Sequence, residues 1–198
     1  MKELLNHEDL TIKIAGVDIF VKTGVFSPDP KISYSSMQVL DNLPGVDGKL
    51  VIDVGSGSGV IGIICALNGA SKVLCIDNAQ RAVENVNINI SKHSLAESVV
   101  VQKGHYLNGV NLKADFIFAN LPISDELWEA SNLDEMTLFL KQAKNCLQKG
   151  GEIYLTWASF GAPLEAVENK IIHMGYNYLI LESEKLGHKW YLLKLKTT

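Results

Sequence analysis

Residues whose types and spacing could do chemistry fall in two short stretches. The first reads Val51-Ile52-Asp53-Val54-Gly55-Ser56-Gly57-Ser58-Gly59-Val60-Ile61-Gly62. A β-branched run carries one carboxylate, then glycines alternate with serines, then an apolar helical run begins. Glycines at this junction let the backbone turn sharply and let a ligand approach without meeting a Cβ. The helix that follows offers unpaired N–H groups to that ligand. Asp77 ends the next apolar run, Val73-Leu74-Cys75-Ile76, where a carboxylate accepts the two hydroxyls of a ribose. Loop and carboxylate together read as a nucleoside-binding site.

Which nucleoside derivative is bound turns on Asp53. Gly57 to Gly62 also satisfies the dinucleotide pattern GxGxxG. A dinucleotide site normally carries an apolar residue at the position of Asp53, packed beneath the pyrophosphate. A carboxylate there suits a cationic ligand group instead, such as the amino group of a methionine moiety, often through water. Residues Asp53 to Gly59 match the DxGxGxG signature of class I S-adenosylmethionine-dependent methyltransferases.

The second stretch, Ala114-Asp115-Phe116-Ile117-Phe118-Ala119-Asn120-Leu121-Pro122-Ile123, ends a strand where open α/β sheets place their chemistry. It resembles the (N/D)PP(Y/F) motif of amino-group methyltransferases. The resemblance implies that the Asn120 side-chain oxygen and the Leu121 carbonyl each accept a hydrogen of the target amine, and that Pro122 holds the turn. Such acceptors aim a delocalised nitrogen lone pair at the methyl carbon and stabilise the charge that develops. Leu121 replaces the first proline of the motif and loosens φ there, and Ile123 replaces the aromatic residue that stacks on a planar target.

Gly24-Val25-Phe26-Ser27 and the run Ala82-Val83-Glu84-Asn85 are similar to flanking segments of the "small-domain" group, which contains ribosomal-RNA guanine-N2 and release-factor glutamine-N5 enzymes; the likeness covers roughly residues 23–157 in type. It implies S-adenosyl-L-methionine as cofactor, held by Phe26, Asp53, Gly55, Ser56, Gly57, Gly59, Asp77, Asn78, His105 and Asn120. His105 stands where the group usually has an acidic residue for the adenine amino group, and accepts that hydrogen bond only as the correct neutral tautomer. The alternatives are a methyltransferase-like binding module without catalysis, and a small-molecule methyltransferase.

The elements that must position these residues follow from periodicity. Residues 11–22 alternate apolar and polar about Gly16, a hairpin. Asp29 and Pro30 open a predicted helix that runs to Leu43. Short apolar runs at 50–54, 72–76, 99–101, 115–119 and 152–157 read as buried parallel strands. Helical stretches at 60–69, 79–93, 132–148 and 163–174 alternate with them. Residues 177–183 and 189–196 are joined too briefly for a helical crossover and should pair antiparallel. The fold class is therefore α/β: a Rossmann-like, doubly wound, mostly parallel seven-stranded sheet with an antiparallel C-terminal strand pair. Residues 1–198 form one domain, 1–49 supplying a hairpin and a helix and 50–198 the core sheet.

Composition bounds the partners. The 198 residues are 47% apolar and 20% charged, which excludes disorder and coiled coil. No apolar stretch is long enough to span a membrane, and the acidic amino end is no signal peptide. Cys65, Cys75 and Cys146 form no CxxC pair, and the five histidines are not spaced as ligands, so no metal is expected and the compartment reads as cytoplasmic. A net charge of −4 and a single arginine, Arg81, weigh against unaided grip on an RNA backbone. Lys185, Lys189, Lys194 and Lys196 read first as a solvated strand pair, second as an assisting contact. The expected substrate is an amine of RNA or protein, with a small molecule as the alternative. Trp128, in the segment after Pro122, is a candidate border of the substrate site.

Overall fold

The computed structural model describes residues 7–121 and 130–197. Pro122, Ile123 and Trp128 lie outside the described residues. Two strands, β1 (Leu10–Ile14) and β2 (Val17–Val21), pair antiparallel around Ala15 and Gly16, both at positive φ (48° and 82°). That twist suits a two-residue hairpin loop. The large sheet contains β3 (Leu50–Val54), β4 (Lys72–Asp77), β5 (Val99–Lys103), β6 (Ala114–Ala119), β7 (Leu147–Ala158), β8 (Tyr176–Lys185) and β9 (His188–Thr197). Its order is β5-β4-β3-β6-β7-β9-β8, parallel from β5 to β7, with β9 antiparallel to both β7 and β8.

Helices cover both faces, as near-continuous apolar strands require. On one side α1 (Ser35–Leu40), α2 (Val60–Leu67) and α3 (Gln80–Lys92) bury Val39, Ile63, Val86 and Ile90 beside the hairpin residues Ile14, Ile19 and Val21. On the other, α4 (Ala130–Cys146) and α5 (Leu164–His173) bury Met136, Phe139, Leu140, Val167 and Ile171. Strand β3 serves both, sending Val51 to the first cluster and Ile52 and Val54 to the second.

Two boundaries differ by more than about three residues from those the sequence suggests. The helix expected over 30–43 shrinks to Ser35–Leu40. Asp29 does cap a turn, its Oδ1 accepting from Lys31 N (2.9 Å) and its carbonyl from Ile32 N and Ser33 N. The serines that follow bond one another instead of extending the helix, with Ser33 Oγ and Ser35 Oγ 3.1 Å apart; serine competes with helical hydrogen bonding in this way. Strand β7 starts at Leu147 rather than 152, because its pairing with β6 carries a register shift between Ala114 and Phe116. Gly151 sits at that irregularity, where a Cβ would lie 2.9 Å from the Ala114 and Asp115 carbonyls.

The hairpin is locked to the sheet by two buried amides one helical turn apart. Asn85 Oδ1 accepts from Lys22 N (2.6 Å), and Asn89 Oδ1 from Phe20 N (2.9 Å). Both Nδ2 groups donate to Phe20 O and to Ser58 O, at 2.9–3.1 Å. The i, i+4 spacing puts both side chains on one face of α3, and both are fully buried. Replacing either asparagine by alanine orphans one hairpin N–H and should cost about 1–3 kcal/mol. The double variant should cost more than the sum, because only then do Phe20 O and Ser58 O lose both amide donors. Urea denaturation of the single and double variants measures this; strict additivity would refute the shared-acceptor account.

Candidate functional site

The sheet order reverses between β3 and β6, and the carboxyl ends of those strands frame a crevice. A cavity of about 720 Å³ occupies it, within the size range of small-molecule sites. Its walls include Phe26, Asp53, Gly55, Ser56, Gly57, Asp77, Asn78, Asn120 and Leu121. Among the described residues, those singled out from sequence as catalytic or cofactor-binding thus converge on one cavity, with two exceptions. Gly59 lies behind the wall as the N-cap of α2, at φ 81°, against Val86. His105 is not part of the wall: its ring tilts against Tyr106 at 4.3 Å and its Nε2 lies 4.0 Å from Glu135. Tyr106 faces the cavity instead, its hydroxyl donating to Glu135 Oε2 at 2.6 Å.

The loop is held by backbone bonds and by Asp77. Gly55 N and Ser56 N donate to Ile76 O at 2.8 and 3.0 Å. Gly57 N donates to Asp77 Oδ2, and Ala79 N to Asp77 Oδ1, both at 2.9 Å. Gly55, Gly57 and Gly59 all have φ between 53° and 81°, a backbone that Cβ-bearing residues resist. Each Asp77 oxygen accepts one bond, so each keeps a lone pair for a ribose hydroxyl.

Asp53 is the most constrained group. It is 1% exposed, and its Oδ2 accepts from Gly62 N at 2.9 Å. Gly62 makes room for this: a Cβ there would stand 2.5 Å from Cys75 Sγ. Burial pushes the Asp53 carboxyl up to about 7, against the opposing pull of the Gly62 N–H, and the Asp77 charge adds to the rise. Asp53 Oδ1 and Ser56 Oγ are buried without a partner, and both residues line the cavity. Two orphaned polar atoms beside a glycine loop fit a ligand bearing an amino acid group and a ribose.

Asn120 directly follows β6, with its side chain fixed at both atoms. Nδ2 donates to Ser36 Oγ (3.2 Å), and Oδ1 accepts from the buried Thr156 hydroxyl (2.9 Å). One Oδ1 lone pair remains. Sequence reasoning missed Ser36 and Thr156, because a lone serine and a lone threonine carry no spacing signal. It also missed the far wall, formed by Phe160, Leu186, His188 and Trp190. Among the described residues no cluster of three metal-ligating side chains occurs, and no helix is long and apolar enough to cross a membrane.

Fold and glycine loop together define an α/β protein of the methyltransferase type. Residues 16–174 match the family described as "Methyltransferase small domain", and the chain belongs to that family. Ribosomal protein L11 methyltransferase of Exiguobacterium sp. is 30% identical over 144 residues, 73% of this chain and 42% of that protein. The protein of the same name from Carboxydothermus hydrogenoformans is 40% identical over 85 residues, 42% of this chain and 28% of that one. The chain therefore spans less than half the length of these relatives. Among solved structures, the T. thermophilus 16S rRNA N2 G1207 methyltransferase, in complex with AdoMet and guanosine, superposes with a TM-score of 0.74 at 21% identity, covering 96% of this chain and 50% of that one. A ribosomal protein L11 methylase from Lactobacillus delbrueckii gives 0.68 at 19% identity, covering 90% and 84%. These structural likenesses establish the fold.

Asp53 gives the ligand-free protein a pH signature. Its carboxyl rises from 3.8 unfolded to about 7 folded, so its contribution to stability is complete below the unfolded value and is lost as pH rises through about 7. Thermal melts across that window should show a decline that Asp53→Asn flattens. On the reading that places the ligand's amino group at Asp53, that cation favours the carboxylate, and calorimetric affinity for S-adenosylhomocysteine should rise with pH over the same window. Equal pH slopes in wild type and variant would refute this account.

Proposed function

We propose that the protein methylates an amino group of RNA or protein, with Asn120 and Leu121 orienting the amine. The observation that carries the reading is the Asn120 side chain, held at both ends on the wall of the cavity that contains the glycine loop and Asp77. S-adenosylmethionine supplies an electrophilic methyl group on a sulfonium centre. Asp77 and Asn78 take the ribose side, and Asp53 Oδ1 and Ser56 Oγ take the amino acid side, together with Phe26, Gly55 and Gly57. The free Asn120 lone pair and the Leu121 carbonyl accept the amine hydrogens, which turns the nitrogen lone pair toward the methyl group. Thr156 and Ser36 fix which face of the Asn120 amide meets the amine. Pro122 holds the turn by sequence resemblance, and the same resemblance offers His105 as an adenine contact, though Tyr106 stands nearer the cavity.

Relatives named for ribosomal protein L11, 16S rRNA and tRNA support a target in the translation machinery. Of the lysines on the last strands, Lys189 pairs with Glu182 and Lys196 with Glu152, both at 2.8 Å, while Lys194 covers the Tyr154 ring. They read as a solvated, internally paired edge.

Lysate incubated with methyl-labelled S-adenosylmethionine and split into RNA, protein and small-molecule pools tests the reading. Label is expected in RNA or protein, and Asn120→Ala should lower its rate by about 10²–10³-fold, the worth of one lost transition-state donor or acceptor. Thr156→Val should lower it while Thr156→Ser retains it, with S-adenosylhomocysteine affinity unchanged in both Thr156 variants. Label confined to small molecules would overturn the macromolecular target. No transfer by wild type would leave a cofactor-binding module.

A further inference from the structure

Beyond Asn120 the cavity runs to a corner built by the turn after β7 and by the β8–β9 hairpin. Ser159 N donates to Lys189 O (2.9 Å) and Lys189 N to Ser159 Oγ (3.1 Å), which stitches the turn to β9. Phe160 therefore stands against the hairpin, its ring centroid 5.2 Å from His188 and 5.6 Å from Trp190, nearly perpendicular to both. Trp190 is 6% exposed and anchored, Nε1 donating to Lys185 O at 2.9 Å. Phe160 keeps 38% of its surface open.

The hairpin tip carries a second anomaly. Lys185 pairs with His188 across a two-residue loop, Leu186 at φ 55° and Gly187 at 74°. The left-handed conformation suits asparagine or glycine and strains a leucine. Leu186 is also 46% exposed, an apolar side chain at a water-facing tip, and it lines the cavity. Local strain and exposure together are what a positioned binding residue costs.

We propose that Phe160, His188 and Leu186 form the acceptor subsite, with Phe160 supplying the π face on which a nucleobase of single-stranded RNA stacks while its amino group reaches Asn120. This rests on the methyl-transfer reading above and selects RNA within it. The Asn120-Leu121-Pro122-Ile123 stretch carries no aromatic residue, so a planar target must find its ring elsewhere. Phe160 provides one on the far wall of the same cavity. An extended aliphatic side chain, such as lysine or glutamine of a protein, gains less from a rigid aromatic corner than a flat base does. The lysines nearby are largely engaged with acidic and aromatic partners, so the grip comes from the base and not from phosphate neutralisation.

The test uses protein saturated with S-adenosylhomocysteine and three probes: a mixed-sequence RNA dodecamer, an abasic ribose–phosphate strand of the same length, and a peptide bearing lysine and glutamine. Wild type should bind the base-bearing strand best, with a shallow dependence on salt. Phe160→Leu should weaken that binding by about 5–150-fold, the equivalent of one base–aromatic stack, and leave the abasic strand unchanged. Leu186→Asn should raise the melting temperature by relieving the backbone and yet weaken base-dependent binding, opposite signs that a purely structural role does not produce. Equal affinity for base-bearing and abasic strands, preference for the peptide, no RNA binding, or indifference to Phe160→Leu would each overturn the proposal. Calorimetry with S-adenosylhomocysteine alone separates the failures: absence of that binding overturns the methyl-transfer reading, whereas its presence without base-dependent binding overturns only this one.

Discussion

Four backbone groups of two separate elements meet on two amide side chains. Asn85 and Asn89 satisfy Phe20 N, Lys22 N, Phe20 O and Ser58 O at once. Buried polar groups without partners are costly, so these amides make the hairpin, α3 and the glycine loop interdependent. If the hairpin shifts, Ser58 loses its position; if the loop shifts, the amides lose acceptors. Arg81 extends the same lock, its Nη1 donating to Thr23 O at 3.2 Å beside Gly24. Phe26 reaches the cavity from the chain that this clasp holds in place.

The opposite wall depends on strand ends. Gly55 N and Ser56 N continue the β3–β4 ladder onto Ile76 O, so the turn out of β3 is fixed by the strand that also delivers Asp77. A Cβ at Gly55 would lie 3.5 Å from Asn120 O, which measures how closely the β3 and β6 ends approach. Loop, Asp77 carboxylate and Asn120 are thus consequences of one sheet register. The cost is concentrated in Asp53, a carboxyl buried beneath the loop with one oxygen unpaired.

How much of this was legible in the sequence depended on whether the signal was periodic. Parallel strands buried on both faces have to be β-branched runs, and β3, β4 and β6 fell where such runs stood. The glycine loop was legible because a left-handed backbone restricts residue choice. Helix α1 was not: Asp29-Pro30 is a proper start signal, and it does close a turn, but Ser33 and Ser35 then bond each other. His105 was misplaced by one residue relative to the cavity, since Tyr106 at φ 50° turns the chain so that the tyrosine takes the wall. Thr156, Phe160 and Trp190 were invisible as a site, because β9 inserts between β7 and β8 and brings distant residues together without any local pattern.

The two halves of the cavity are made of different material, and this bears on how each can vary. The half around the glycine loop is built on main chain, glycine turns and a helix N-terminus, pinned by the Asp77 carboxylate and the Asn85 and Asn89 amides. Changing it means changing the sheet register, which the core would resist. The proposed acceptor half is side chains on a two-residue hairpin tip and a short turn, Leu186, His188 and Phe160, supported by the Lys189–Ser159 and Trp190–Lys185 hydrogen bonds and by the β8–β9 ladder. Substitution there alters shape and stacking without touching β3 or β6. On the proposed reading, the antiparallel last pair separates the methyl-donor side of the cavity from the acceptor side, which the β8–β9 hairpin carries.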